Sequence, residues 1–102
     1  MVRILVLYPD TDGNWFNMDY YKSNHISLVK KLFGPMGMKS IEMDAGLAGM
    51  DGPPPYFATA YLIFETMEQL QAAMAAHGQT LTEDMPNYTK NAIIQIGEIQ
   101  TL

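Results

Sequence analysis

The chain has 102 residues, 48% of them apolar, and a formal net charge of −5. This length suits a single domain with one modest core, and the composition is too apolar for a disordered chain. Nucleic acids and anionic membranes attract positively charged surfaces, so the negative charge argues against both as partners. Because the sequence has no cysteine, disulfides and thiolate chemistry are excluded.

The N-terminal residues lead directly into a strand pattern, without the charged, apolar and small-residue regions of a signal peptide. The apolar runs are the length of strands and are too short to cross a bilayer. On these grounds we predict a cytoplasmic protein.

The first half of the chain predicts two strands and a helix. The apolar run Arg3–Tyr8 predicts the first strand, and Asp12-Gly13-Asn14 is typical of a turn. A helix is expected from an N-cap at Asn17 to about Phe33, where a Gly-Pro pair ends it. The second strand, residues 39–45, alternates apolar and polar residues and should have one solvated face.

The second half of the chain predicts two further strands on either side of a helix, at residues 56–65 and 92–99. The helix begins with a capping box, in which Thr66 is the N-cap and Gln69 follows three residues later. It is predicted to end at about His77, where the following glycine can close it. The segments 46–55, rich in glycine and proline, and 79–91 are predicted to be irregular.

The order β-α-β-β-α-β predicts an α+β, ferredoxin-like domain over residues 1–102, with a four-stranded antiparallel sheet and both helices on one face. Adjacent strand residues point to opposite faces, yet the runs Ile4–Leu7 and Tyr61–Phe64 are apolar throughout. The face without helices would therefore expose a large apolar patch. We predict a homodimer that packs sheet against sheet.

His25 is the most informative single residue. At about 3.6 residues per turn, it shares a core-facing stripe of the first helix with Tyr21, Leu28 and Leu32. A buried imidazole can exchange a proton near neutral pH, and general acid/base catalysis contributes about 10²–10⁴-fold. Tyr21, one turn earlier, would orient the imidazole or share its proton. The alternative is a structural histidine that hydrogen-bonds a carbonyl or a tyrosine hydroxyl inside the core.

Four more aromatic residues are candidates for ligand binding: Tyr8, Trp15, Tyr61 and Tyr88. Tyr8 ends the first strand, and Tyr88 could close over a ligand, whereas Tyr61 could point to either face of the sheet. Buried phenols usually find a hydrogen-bond partner, so each tyrosine also has a structural interpretation. Trp15 could equally form a hydrophobic staple at the start of the helix.

Metal and cofactor sites are not expected. The two histidines lie on separate predicted helices, and without cysteine or a carboxylate cluster they do not form a convincing ligand set. The sequence also lacks a phosphate-binding loop and a dinucleotide fingerprint. The chemistry that remains is proton transfer without a cofactor, in an apolar cavity that binds a small apolar or aromatic molecule.

Several segments together form a family signature, centred on the Tyr-Tyr-x-x-x-His pattern. They are Met18–Val29, Gly34–Met38, Gly52–Tyr56, Met74–Gly78 and Pro86–Thr89. With these segments the chain resembles the EthD family of dimeric α+β barrels over nearly its whole length. It departs from the family at Ser27, where related sequences often have proline, a difference that affects the helix more than the chemistry.

The resemblance implies a dimeric ferredoxin-like fold whose helix histidine lines a pocket between sheet and helices. The EthD family is named for a component of ethyl tert-butyl ether degradation. Similar proteins include methylmuconolactone isomerases and decarboxylases or cyclases of polyketide-derived aromatics, and related barrels include cofactor-free quinol monooxygenases. The resemblance therefore favours isomerisation, decarboxylation or cyclisation of a small cyclic or aromatic substrate. A non-catalytic carrier dimer for an apolar metabolite and a cofactor-free monooxygenase stay open, because a fold does not fix a reaction.

Overall fold

The computed structural model describes residues 1–11 and 13–102. Within them the chain forms strands β1 (Val2–Pro9), β2 (Met38–Ala45), β3 (Tyr56–Phe64) and β4 (Ile93–Glu98). The first helix consists of three consecutive segments, Met18–Tyr20, Tyr21–His25 and Ile26–Phe33, and the second helix is Met67–Asp84. The turn predicted around Asp12 lies in part outside the described residues.

The four strands form one antiparallel sheet in the order β2-β3-β1-β4. In the centre of this sheet, Ile4 of β1 pairs with Leu62 of β3 on one side and with Ile96 of β4 on the other. Both helices pack on one face of the sheet, which confirms the predicted α+β, ferredoxin-like architecture.

The core lies between this sheet face and the helices. Alternate residues of β1 and β3 are buried there, as the two-residue repeat of a strand requires. At one end of the core Phe33 of the first helix meets Phe64 of β3 edge to face, with ring centroids 5.8 Å apart. Burying each such side chain contributes about 1.5–3 kcal/mol, so this layer supplies most of the stabilisation.

Both predicted helix starts are confirmed by side-chain caps. The Asn17 side chain accepts a hydrogen bond from the backbone N–H of Tyr20 at 3.1 Å, and Thr66 accepts one from Gln69 at 3.2 Å. The first helix passes into a short 3₁₀ turn and stops at Gly37, whose φ of 102° is a left-handed value that favours glycine.

The predicted end of the second helix is wrong. The helix continues through Gly78 as far as Asp84, and a 3₁₀ turn, Met85–Asn87, follows it. A glycine inside a helix costs about 1 kcal/mol relative to alanine. Here the apolar stripe resumes beyond it, because Leu81 and Met85 pack against the core. Their burial outweighs the local preference of glycine for a helix end.

The sheet face opposite the helices carries the predicted apolar residues, but Arg3, Asp44 and Tyr61 lie on the same face. Leu5, Leu7 and Ile63 lie on it half-buried, and Ile93 of the edge strand β4 is 50% exposed. On the helix side of β4, Ile94 is 54% exposed, so neither surface of this edge strand is well covered. Neither helix in the described part of the chain combines the length and hydropathy that spanning a membrane requires.

Candidate functional site

The middle of the first helix departs from regular α-helical geometry. Residues Tyr21–His25 form a π-helical turn, in which the backbone N–H of Ile26 bonds to the carbonyl of Tyr21. Such turns are rare and are found frequently at functional sites. Tyr21 is 1% exposed and His25 is 6% exposed, so both side chains point inward as the helical spacing predicted. The buried stripe then continues through Val29 and Phe33, so the predicted place of Leu28 in it is wrong.

An aromatic cluster surrounds the imidazole of His25. The ring of Tyr88 lies 4.4 Å from it, centroid to centroid, and the ring of Tyr21 stacks on it at 5.4 Å. Tyr8, at the end of β1, meets Tyr21 edge to face at 5.2 Å and Tyr88 at 5.6 Å. The end of β1, the π turn and the segment after the second helix therefore converge at one point.

A chain of hydrogen bonds runs through this cluster. Asp84 Oδ2 lies 2.9 Å from His25 Nδ1, Tyr88 Oη lies 3.2 Å from His25 Nε2, and Tyr8 Oη lies 3.3 Å from Tyr88 Oη. An ionised carboxylate can only accept, so Nδ1–H donates to Asp84 and the Nε2 of a neutral ring accepts. Tyr88 then donates to Nε2, and Tyr8 donates to Tyr88.

Asp84 is fixed by more than the imidazole. Its Oδ1 accepts hydrogen bonds from the hydroxyl of Tyr20 at 2.6 Å and from the side-chain amide of Asn87 at 3.0 Å. Burial acts to raise the pKa of Asp84, but the hydrogen bonds from Tyr20, His25 and Asn87 outweigh it and hold that pKa below its usual value. The carboxylate is therefore ionised at neutral pH.

The same surroundings keep the imidazole neutral. Burial lowers the pKa of His25, and the Asp84 carboxylate offsets this effect only in part, so the pKa stays below its ordinary value of 6.5. A neutral imidazole can accept a proton at physiological pH. The negative charge of Asp84 stabilises the imidazolium that results, much as an aspartate does in a catalytic triad.

The phenols around the imidazole stay protonated. Burial raises the pKa of Tyr21 to about 12, and it raises the pKa of Tyr8 and of Tyr88 as well. All three hydroxyls are therefore neutral at physiological pH, when each can both donate and accept a hydrogen bond.

The cluster borders a cavity of about 90 Å³ between the sheet and the helices. Tyr8, Tyr21, His25 and Tyr88 line it together with aliphatic and aromatic residues of both layers. Ligand sites of this type combine a mostly apolar wall with a few convergent polar groups. Among residues 1–11 and 13–102, no three histidine or acidic side chains lie close enough together to hold a metal ion.

The structure does not bring two of the predicted ligand-binding residues, Tyr61 and Trp15, to this cavity. Tyr61 points to the opposite face of the sheet, because its neighbours Ala60 and Leu62 are buried against the helices. There its hydroxyl donates to Asp44 at 2.6 Å. Trp15 is 45% exposed and lies before the first helix, away from the cavity wall.

Sequence reasoning missed Asp84. It falls in the segment 79–91, which the sequence predicts to be irregular, and 59 positions separate it from His25. An acidic residue in the last turn of a helix is disfavoured by the helix dipole, but this signal appears only once the helix is seen to reach Asp84. Its presence there calls for compensating contacts, and Tyr20, His25 and Asn87 provide them.

Comparisons with known proteins agree with this architecture. The family model described as the EthD domain matches residues 16–92. An EthD-like protein from Ralstonia eutropha JMP134 is 33% identical over 95% of this chain and 89% of its own, with a TM-score of 0.85. A search of curated proteins found no match.

More distant structures share the fold. An ethyl tert-butyl ether degradation (EthD) family protein from Bacillus halodurans C-125 is 19% identical, with a TM-score of 0.71, over 98% of this chain and 99% of its own. A dimeric ferredoxin-like protein of unknown function from Thermobifida fusca YX is 16% identical, with a TM-score of 0.61, over 96% of this chain and 90% of its own. The family model and the Ralstonia structure together show that this chain belongs to the EthD family.

Proposed function

We propose that this protein is a cytoplasmic, cofactor-independent enzyme in which His25 acts as general acid/base on a small cyclic or aromatic substrate. The supporting observation is the chain Asp84–His25–Tyr88–Tyr8, which ends at the wall of an apolar cavity. A neutral base, an anion that stabilises its protonated form and a protonated phenol are the components that proton transfer requires.

The hydrogen bonds suggest the order of events. Tyr88 passes its proton to Nε2 of His25 as its oxygen takes a proton from the substrate, and Asp84 stabilises the imidazolium. Return of the proton to a different atom of the substrate completes an isomerisation. Its delivery to the carbanion left by loss of CO₂ completes a decarboxylation, and its delivery to the oxygen formed by carbon–carbon addition completes a cyclisation. Electrons and protons balance in each case without an oxidant.

Tyr21 acts in this scheme through its ring. It stacks on the imidazole with an interplanar angle of 21°, which fits the orienting role that the sequence suggested. The hydroxyl that bonds the imidazole belongs to Tyr88 instead. Tyr21 therefore positions His25 within the π turn, and Tyr88 is the residue placed to exchange the proton.

A non-catalytic carrier is the second candidate. It is favoured by the hydrogen bonds at both nitrogens of His25, which satisfy the imidazole as fully as a structural core histidine requires. In this case the cavity would bind an apolar metabolite, and the polar cluster would only fix its orientation.

Exchange of carbon-bound hydrogen in D₂O distinguishes the two functions. We expect the wild-type protein to accelerate exchange beside the carbonyl of a cyclic ketone such as cyclohexanone, followed by NMR. His25→Gln should lose about 10²-fold or more of this rate and still bind the ketone. Equal loss of binding and exchange would favour the carrier. Binding without exchange in the wild-type protein, across a series of enolisable ring compounds, would contradict catalysis.

We also propose a homodimer that covers the apolar sheet face. The supporting observations are the apolar residues on that face and the Thermobifida protein, which has the same fold and is dimeric. Ile93→Glu places a charge on this face, and we expect it to shift the sedimenting species towards monomer. Gln71→Glu, on an exposed position of the second helix, is the control and should leave the dimer intact. Wild-type protein that sediments as a stable monomer would contradict the dimer.

A further inference from the structure

The cavity has a polar end and an apolar end. Along β1 its wall passes from Ile4 to Tyr8, and along the first helix it passes from His25 to Val29 and Phe33. The two elements run in opposite directions, since Phe33 meets Phe64 beside the start of β1. The tyrosines and the imidazole therefore share one end, and the other end is hydrocarbon.

The cavity wall has no positive charge to offer a ligand. Among the described residues that line it, none is lysine or arginine, and the ionisable ones are tyrosines and His25. The Asp84 carboxylate lies behind the imidazole, where it bonds Nδ1 of His25. A ligand carboxylate would lose its hydration in this cavity and would find no cation to pair with. The Asp84 carboxylate behind His25 would also repel it.

The hydrogen-bond chain suits a neutral oxygen at the polar end. The hydroxyl of Tyr8 is the last group of the chain, and it can accept from a ligand hydroxyl or turn to donate to a ligand carbonyl. The volume of about 90 Å³ limits the ligand to about a single ring. Met74 and Met85 lie in the wall, and their unbranched side chains can adapt to its outline.

We infer that the cavity binds uncharged single-ring compounds, with a hydroxyl or carbonyl oxygen at Tyr8 and Tyr88, and rejects the corresponding carboxylates. This inference rests on the cavity of the proposed function but concerns binding alone. Among the proposed reactions it favours isomerisation or cyclisation over decarboxylation, because the substrate of a decarboxylation carries a carboxylate. A protein without catalytic activity would still show the selectivity, whereas loss of the selectivity would leave the exchange experiment unaffected.

Three probes of similar outline test the selectivity by calorimetry at neutral pH: para-cresol, para-toluamide and para-toluate. The amide is a neutral isostere of the carboxylate, so it separates charge from size. We expect the Kd of the cresol and the Kd of the amide each to be at least about tenfold lower than the Kd of the toluate. Equal or tighter binding of the toluate, or failure of both neutral probes to bind, would overturn the inference.

A charge placed at the cavity wall provides a second test. Thr82 lines the cavity and is exposed, so Thr82→Lys can bring an ammonium group to its rim without burying it. We expect this variant to reduce the ratio of the Kd of the toluate to the Kd of the toluamide about tenfold. Gln79→Lys adds the same charge to an exposed residue outside the wall and should leave this ratio of Kd values unchanged. Equal effects of the two variants would show that net charge alone sets the selectivity and would contradict the inference.

Discussion

Substitution of Asp84 by asparagine tests the geometry on which the site depends. The carboxylate accepts three hydrogen bonds, from Tyr20 at 2.6 Å, from His25 at 2.9 Å and from Asn87 at 3.0 Å. Asparagine has a similar shape but no charge, and it replaces one acceptor oxygen by a donor. The change therefore weakens the bonds at this position without leaving a hole in the packing.

The expected loss of stability follows from the strength of these bonds. Hydrogen bonds to charged groups contribute about 1.5–3 kcal/mol and neutral ones about 0.5–1.5 kcal/mol, a difference of about 1 kcal/mol for each bond. Tyr20 and Asn87 are accessible to water, so their share is smaller than that of His25. We expect Asp84→Asn to lower the free energy of unfolding by about 1–2 kcal/mol, which lowers the Tm by roughly 5–15 °C in a domain of this size.

The same substitution should change the titration of His25. The Asp84 carboxylate opposes the lowering of the His25 pKa by burial, so its neutralisation should lower that pKa further. The chain has two histidines, and an NMR titration can follow them separately. Glu83→Gln removes the same charge from the exposed neighbouring position, and we expect it to change the stability by no more than about 0.5 kcal/mol. An unchanged or raised His25 pKa in Asp84→Asn, with wild-type stability, would refute the proposed orientation of the imidazole.

Two further predictions concern the same hydrogen-bond chain. The folded-state pKa of His25 lies below its ordinary value of 6.5, so the unfolded chain binds more protons as the pH falls through that value, and the stability should decrease. Urea unfolding between about pH 8 and about pH 5 should show this decrease in the free energy of unfolding. In His25→Gln the free energy of unfolding should depend less steeply on pH, and an equal dependence in the two proteins would contradict the prediction. Tyr88→Phe removes the hydroxyl between Tyr8 and His25, and thermal unfolding should show a loss of about 1–3 kcal/mol, because the buried imidazole loses a partner. Tyr56→Phe, at a half-buried tyrosine of β3 outside this hydrogen-bond chain, is the control, and a cost as large as that of Tyr88→Phe would contradict a special role of the Tyr88 hydroxyl.

The parts of the fold that the sequence predicted correctly depend on local signals. The caps at Asn17 and Thr66 act on backbone groups three residues away, so a short stretch of sequence contains the whole interaction. The end of the second helix depends instead on tertiary packing, because the core contacts of Leu81 outweigh the preference of Gly78. Helix propensities of single residues do not include such tertiary contacts.

The candidate site was predictable only in part: Tyr8, Tyr21, His25 and Tyr88, which line the cavity, were candidates from the sequence, and Asp84 was not. The spacing of the first helix indicated that Tyr21 and His25 face inward, since both belong to one element. Asp84 meets His25 across 59 positions, and this meeting depends on how far the second helix extends. The face occupied by Tyr61 depends on the strand register, which becomes clear only once its neighbours are seen to be buried.

The π turn joins the part of the first helix that packs against the core to the part that contacts the polar cluster. A π turn contains one residue more than the i to i−4 ladder of an α-helix would hold, and Lys22, Ser23 and Asn24 within it are all exposed. Deletion of one of these residues would allow regular α-helix to form while Val29 and Phe33 kept their contacts with the sheet. His25 directly precedes the segment that carries these two residues, so Tyr20 and Tyr21, on the other side of the deletion, would shift relative to Asp84 and the imidazole. The loss of a single codon would thus be enough to disturb the polar cluster and leave the architecture of the domain in place.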